Sequence, residues 1–206
     1  MGKESPASRQ QMRERIAHGA ARLIAQDGVS DYGLAKRKAA RQVGAPDSRN
    51  LPTDLEIEEA LRAYQQLYQA DEQPEQLQRL RELALDMMHL LVDFNPHLTG
   101  SVLSGSAGRH ADVHLQLYTD DLKELEIYLH NQQIPFRARE TRMWIGDTQL
   151  VVPTFIVSTP ETDVHITVLS PAHRRQPLRL SLEGRILERA PIDSVATLVA
   201  GTGQVD

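Results

Sequence analysis

Two short stretches of this chain repeat an acid and an imidazole two positions apart. The first is Asp112-Val113-His114 and the second is Asp163-Val164-His165. Because a β-strand points residues i and i+2 toward the same face, each acid shares a face with its histidine. If the two strands are neighbours in one sheet, the acids and histidines converge as four potential ligands of a divalent metal ion, namely Asp112, His114, Asp163 and His165.

A turn rich in glycine and serine precedes the first of these stretches. It contains Gly100-Ser101 and Gly105-Ser106, and Arg109 follows them. Backbone N–H groups and hydroxyls of such turns bind phosphate oxygens, and an arginine adds positive charge. A phosphate-binding turn beside a carboxylate-bearing strand is the arrangement that metal-assisted phosphoryl or nucleotidyl transfer uses.

The order of these motifs resembles the signature of the polymerase-β-like nucleotidyltransferase superfamily, and most of all its minimal nucleotidyltransferases. That signature places Gly-Ser after a first strand, then a turn, then acid-x-acid on the next strand, with a third acid on a later strand. Here Gly100-Ser101 is followed, at the same spacing, by Ala111-Asp112-Val113-His114-Leu115. The resemblance covers roughly residues 80–170 and leaves the N-terminal and C-terminal segments outside it.

The resemblance implies a substrate, a cofactor and a role for each matching residue. The substrate would be ATP or another nucleoside triphosphate, and the cofactor a divalent metal ion, Mg²⁺ or Mn²⁺. Asp112 would be the first metal-binding acid and Asp163 the third, with His165 beside it. The nucleotide would be bound by the turn residues Gly100, Ser101, Gly105, Ser106 and Arg109.

His114 departs from this signature, because it stands where the second acid belongs. Imidazole suits Mn²⁺ or Zn²⁺ better than Mg²⁺, and a neutral ligand removes one negative charge from the site. His114 is then either a variant ligand or a general base, so Asp112, His114 and Asp163 are the candidate catalytic residues. The alternative is a catalytically inactive relative that works as a binding or regulatory protein. Asp112 and His114 could also be a solvated strand edge, and Asp163 the cap of the turn before it.

The composition limits the classes of protein to which the chain can belong. The chain has no cysteine, which excludes disulfides, thiol catalysis and cysteine zinc sites. No apolar run approaches the roughly 20 residues of a membrane span, and the N-terminus lacks a signal-peptide pattern. We therefore expect a cytoplasmic protein that does not contact a membrane.

Charge is distributed unevenly along the chain, although the net charge is only −5. Residues 1–50 carry ten Lys and Arg against five Asp and Glu, while residues 51–134 carry five against fifteen. The basic run Lys36-Arg37-Lys38, with Arg41, leaves a DNA-associated regulator as a third hypothesis. We do not expect nucleic-acid binding, because the negative middle of the chain would repel a polyanion and no recognition-helix pattern follows.

Apolar spacing predicts helices before Pro96 and mostly strands after it. The N-terminal helices include a capping box at Thr53 and Glu56, and they offer a surface for a homodimer. Strands are predicted at 98–103, 113–118, 136–144, 149–158, 164–169 and 178–182, with helices at 120–132 and 192–199. The predicted fold class is α+β, a nucleotidyltransferase-like mixed sheet flanked by helices. Residues 1–8 would be disordered, 9–75 an all-helical extension, and 76–206 the α/β domain.

Overall fold

The computed structural model describes residues 6–29, 32–45, 50–181 and 184–202. It is an α+β fold, as predicted, with a mixed seven-stranded sheet and a helical N-terminal region. The helices are α1 Pro6–Asp27, α2 Tyr32–Gln42, α3 Asp54–Tyr68, α4 Glu72–Leu90, α5 Ser101–Ser104, α6 Leu122–Asn131 and α7 Ile192–Thr202. The strands are β1 His97–Thr99, β2 Val113–Tyr118, β3 Arg137–Ile145, β4 Thr148–Ser158, β5 Asp163–Leu169, β6 Leu178–Arg179 and β7 Ala190–Pro191. No helix among the described residues is both long and apolar enough to cross a membrane.

Contacts divide the chain into two compact units. The first, the helical unit, comprises residues 1–74 and 108–110, and the second, the sheet unit, comprises residues 75–107 and 111–206. The predicted disordered segment 1–8 falls partly outside the described residues, since the structure describes nothing before Pro6. Pro6 itself begins α1, so helix formation starts three residues earlier than the apolar spacing indicated.

The helical unit is held together by small apolar side chains. Its core is rich in alanine along α1 and α2, and the Cβ that Gly19 lacks would lie 3.2 Å from Ala39 Cβ, so these two helices pack closely. The predicted capping box is present at the start of α3, where Thr53 accepts from the Glu56 backbone N–H and Glu56 returns the bond. Arg13 of α1 also donates to Glu56 at 2.7 Å, which ties α1 to the capped end of α3.

The sheet unit has the strand order β6-β3-β4-β5-β2-β1-β7. Strands β2 and β5 are parallel neighbours, while the other pairs among β1 to β5 are antiparallel. One face of the sheet lies in the main core, where alternate residues such as Leu115, Leu117 and Ile166 pack with apolar side chains of α4, α6 and α7. The opposite face therefore carries the other residues of each strand.

Two predicted strands are corrected by the structure. The strand expected at 98–103 is only β1, because Gly100 adopts φ 77° and turns the chain into the short helix α5. The apolar residues Val102 and Leu103, read as a strand, instead belong to one helical turn, in which Val102 is buried. The strand expected at 178–182 is the two-residue β6, and its final predicted residue lies outside the described part of the chain.

Candidate functional site

Two rows of side chains cross five neighbouring strands on the face opposite the main core. The first row is Arg137, Ile156, His165, His114 and Thr99, in that order from β3 to β1. The second row is Arg139, Thr154, Thr167, Gln116 and His97. Cross-strand partners point to the same side of a sheet, so these ten residues share one surface, which we call the polar face. Nine of the ten side chains are polar, which marks this surface as the candidate site.

The repeated Asp-Val-His stretches meet on the polar face. Val113 pairs with Val164 and His114 with His165, so the two stretches lie side by side in parallel register. The imidazole centroids of His114 and His165 are 4.9 Å apart. The two stretches therefore lie next to each other in one sheet. This was the condition under which the four candidate ligands were expected to converge.

Asp112 is held by protein donors at both carboxylate oxygens. The Thr162 hydroxyl donates its proton between Oδ1 at 3.2 Å and the Ala111 carbonyl at 3.1 Å, and His165 Nε2 lies 3.3 Å from Oδ2. The hydrogen bond from His165 holds the pKa of Asp112 below its ordinary value, against the opposing effect of desolvation. Asp112 is thus an ionised carboxylate at neutral pH, with its oxygens already engaged.

His165 has a fixed tautomer. The Arg139 guanidinium lies 2.7 Å from His165 Nδ1, and a guanidinium only donates hydrogen bonds. Nδ1 must therefore accept, so the ring proton of neutral His165 is on Nε2 and is donated to Asp112. Both nitrogens of His165 are consequently occupied by protein partners.

Asp163 is engaged in the same way as Asp112. Ser158 Oγ donates to its Oδ1 at 2.7 Å, and Arg137 Nη2 donates to Oδ2 at 2.9 Å. Asp163 opens β5 immediately after the 159–162 turn, and its partners come from β4 and β3. Its carboxylate is therefore the anionic half of an ion pair.

The donor set does not fit the divalent metal ion that the resemblance implies. Both aspartates and His165 direct their polar atoms at protein partners. In the described part of the chain, no group of three or more His, Asp or Glu side chains is arranged to hold a metal ion. Mg²⁺ is usually bound by one or two carboxylates together with waters and phosphate oxygens, and here the carboxylates of Asp112 and Asp163 are hydrogen-bonded to protein donors.

His114 is surrounded differently from the other three candidate ligands. Its ring lies against Gly100, where an added Cβ would be 3.5 Å from His114 Cδ2. Desolvation, with a smaller contribution from His165, lowers the pKa of His114 to about 4, so the ring is neutral at pH 7. The side chain keeps partial exposure and makes no hydrogen bond to another described residue. A neutral imidazole with an available nitrogen is suited to accept or donate a hydrogen bond with a ligand.

The glycine- and serine-rich turn contains both exposed and structural residues. Gly100 needs its positive φ of 77°, and the partly exposed Ser101 begins α5. Gly105 ends this helix in the left-handed conformation, and Ser106 is buried, with its hydroxyl 3.0 Å from Ser104 Oγ. Gly105 and Ser106 therefore shape the turn, while Gly100 lies next to His114.

Arg109 is placed in the helical unit by its contacts. Its guanidinium lies 3.4 Å from the Glu72 carboxylate, and both side chains are largely exposed. Arg109 is therefore not part of the polar face as we define it.

Sequence reasoning missed three residues that determine the state of this site. Arg139 fixes the tautomer of His165, Thr162 engages Asp112, and Arg137 neutralises Asp163. Arg137 and Arg139 alternate with Ala138 in the sequence, which indicates that both arginines share a face. Which carboxylate or imidazole they contact depends on the register between β3, β4 and β5, and the sequence carries no signal for that register.

Farther along the polar face lies a buried amide. Gln116 is 1% exposed, and its Oε1 accepts from Tyr118 Oη at 2.8 Å. Its Nε2 is buried and has no hydrogen-bond partner among the described residues. An unsatisfied buried donor of this kind reduces the free energy of unfolding by about 1–3 kcal/mol, so its presence in the structure requires an explanation.

Comparisons of the chain with protein-family models, with curated proteins and with solved structures found no match.

Proposed function

We propose that the sheet unit is a nucleotidyltransferase-like domain that binds a nucleoside triphosphate without a metal ion and acts as a binding or regulatory module. The observation that carries this proposal is the continuous line of contacts from Arg139 through His165 and His114 to Gly100. It joins the turn that matches the phosphate-binding motif to a cation on the same face. Transfer chemistry is not part of the proposal, because the acids that would hold the metal are engaged with protein donors.

Charge supports binding of an anion on this face. Arg139 donates to His165 Nδ1, and no carboxylate pairs with it among the described residues. His114 is neutral at pH 7, so the position of the second acid adds no negative charge to repel a phosphate. In the superfamily resemblance a metal ion would neutralise the triphosphate, and here we assign that part to Arg139.

The experiment that tests the proposal is calorimetric titration of ATP into the full chain with EDTA, and again with Mg²⁺. We expect saturable binding in both conditions. Arg139→Gln should weaken ATP binding by about tenfold, the effect of losing one charge-assisted hydrogen bond. Arg142→Gln is the matched control, since it removes one exposed positive charge from the other side of the same strand. Equal weakening in both variants, or no binding to the wild type, would contradict the proposal.

The second candidate function is the metal-dependent transfer of a nucleoside monophosphate from a nucleoside triphosphate to an acceptor. One observation favours it: Asp112 immediately precedes β2 and Asp163 begins the parallel neighbour β5, so each acid comes one residue before the registered pair Val113 and Val164. Release of pyrophosphate from ATP in the presence of Mg²⁺ or Mn²⁺, lost in Asp112→Asn, would establish this function. The sheet unit would then be a transferase and not a binding module.

A homodimer through the N-terminal helices is part of the regulatory proposal. Leu67 and Tyr68 end α3 with 76% and 71% of their surface exposed, and a second copy of the chain could cover them. Sedimentation of the wild type and of Leu67→Gln separates a dimer from a monomer. DNA association through α2 has less support, since Lys36 of its basic run is paired with Asp54 at 2.6 Å.

A further inference from the structure

The orientation of the buried Gln116 amide is fixed by its neighbours. Arg189 Nη1 donates to Tyr118 Oη at 2.9 Å, so the tyrosine must direct its own proton elsewhere. Tyr118 therefore donates to Gln116 Oε1 at 2.8 Å, an orientation favoured because the flipped amide would leave both the tyrosine proton and Oε1 without a partner. The buried Nε2 group is consequently a true donor without an acceptor in the described part of the chain.

Arg189 also binds the backbone of the segment that contains His173. Its guanidinium donates to the backbone oxygens of Gln176 at 2.7 Å and His173 at 3.4 Å, in addition to Tyr118. Nδ1 of His173 is also buried without a partner among the described residues. Arg189 is thus linked through Tyr118 to the Gln116 amide, and directly to the backbone of His173.

The surroundings of these groups are positively charged. Arg189 forms no ion pair with a described carboxylate, and neither does the neighbouring Arg174. Both arginines oppose protonation of His97, whose pKa is lowered chiefly by desolvation. His97 donates its Nδ1 proton to the Asn95 carbonyl at 3.0 Å and is the registered partner of Gln116. Among the described residues, no carboxylate forms an ion pair with either of the arginines that produce this positive potential.

We propose that Gln116 and Arg189 form a binding subsite for a small oxyanion, either a phosphate or a carboxylate group of a ligand. Such a group supplies acceptors for the buried amide and balances the charge of Arg189. Arg189 is partly exposed, so it provides the side from which the anion enters. The subsite lies about 7 Å along β2 from His114, the rise of two strand residues, and is thus separate from the turn at Gly100.

The experiment follows the side-chain amide signals of Gln116 by NMR while inorganic phosphate or acetate is added to the full chain. We expect a saturable shift of these two signals. A shift with phosphate alone assigns a phosphorylated ligand, a shift with acetate alone assigns a carboxylate ligand, and each result supports the subsite. No saturable shift with either ion overturns it, and indicates that a buried water molecule satisfies the amide.

Two variants then test which groups bind the ion, with calorimetry as the readout. Gln116→Met preserves volume and removes the donor, and Arg189→Gln removes the charge. Each should weaken binding of the ion by about tenfold, while Arg142→Gln should leave it unchanged. Equal affinity in the wild type and Gln116→Met would overturn the proposal. Because the wild-type NMR titration needs no substitution and no nucleotide, the result is independent of ATP binding at Gly100 and Ser101.

Discussion

His114 and His165 stand opposite each other in the parallel pair β2 and β5, with ring centroids 4.9 Å apart and planes tilted by 50°. The two imidazoles are equivalent in sequence but not in surroundings. His165 has partners at both nitrogens. The ring of His114 is desolvated and makes no hydrogen bond to a described residue. His114 is therefore the member of the pair that remains available to a ligand.

The first prediction concerns the protonation of His114. Its pKa of about 4 lies below the ordinary value of 6.5, so between these values the unfolded chain binds a proton that the folded chain does not. The contribution of His114 to the free energy of unfolding should therefore fall as the pH drops from 6.5 toward 4. NMR titration of the imidazole signals measures the pKa directly. In Asp112→Asn it should fall further, because the carboxylate favours the charged ring, and a pKa above 6 in the wild type would contradict the prediction.

The second prediction concerns metal binding after restoration of the second acid. His114→Asp places a carboxylate on the face that carries Asp112. An added charge about 4 Å from a dication contributes about 2 kcal/mol in water, or roughly thirtyfold in affinity. We expect this variant to bind Mn²⁺ at least that much more tightly than the wild type, as measured by electron paramagnetic resonance. His130→Asp, at the exposed end of α6, is the control for the change in net charge. An equal gain in Mn²⁺ affinity in this variant would contradict the prediction that the added carboxylate binds the metal together with Asp112.

The third prediction concerns the tautomer of His165. In the wild type, ¹⁵N chemical shifts should show a proton on Nε2 and none on Nδ1. Arg139→Met removes the donor that excludes the other tautomer, so the shifts should move toward a mixture. Arg142→Met leaves His165 untouched and should reproduce the wild-type shifts. An unchanged tautomer in Arg139→Met would mean that Asp112 alone fixes the proton.

The fourth prediction concerns the helical unit. The hydrogen bond from Arg13, aided by Thr53, lowers the pKa of Glu56 to about 2. The stabilisation is complete above the unfolded value of 4.5 and is lost as the pH falls toward 2. Glu56→Gln should reduce the free energy of unfolding by about 1 kcal/mol at pH 7, a value set by the partial exposure of the pair. Urea unfolding at pH 7 and pH 3 measures this loss, and Glu59→Gln, on the exposed side of α3, should have no effect at either pH.

Much of the fold could be predicted because its signals are local. Strand β2 has the predicted bounds. Apolar and polar side chains alternate along it, and turn residues lie on both sides of it. The capping box at Thr53 and Glu56 needs only a three-residue spacing. The strand expected through Val102 failed for the converse reason, because a single glycine conformation at Gly100 outweighed an apolar run.

The hydrogen-bond partners of the site residues could not be predicted from the sequence, because they depend on contacts between residues far apart in the chain. Arg139 and His165 are 26 positions apart and Tyr118 and Arg189 are 71 apart. No periodicity relates such residues, and their contacts arise from strand register and from the course of the 171–189 segment. The spacing therefore predicted the two strands next to which the Asp-Val-His stretches lie, but it could not show that Asp112 and Asp163 would be engaged with protein donors.

The clamp that Arg139 places on His165 has a consequence for the movement of protons across the sheet. A histidine conducts a proton only when one nitrogen receives it while the other releases it. At His165 the guanidinium occupies Nδ1 and does not release its protons, so this histidine cannot relay a proton between Asp112 and solvent through Nδ1. In the proposed complex, a proton would therefore reach a ligand beside Gly100 through His114 or through water, and not through His165.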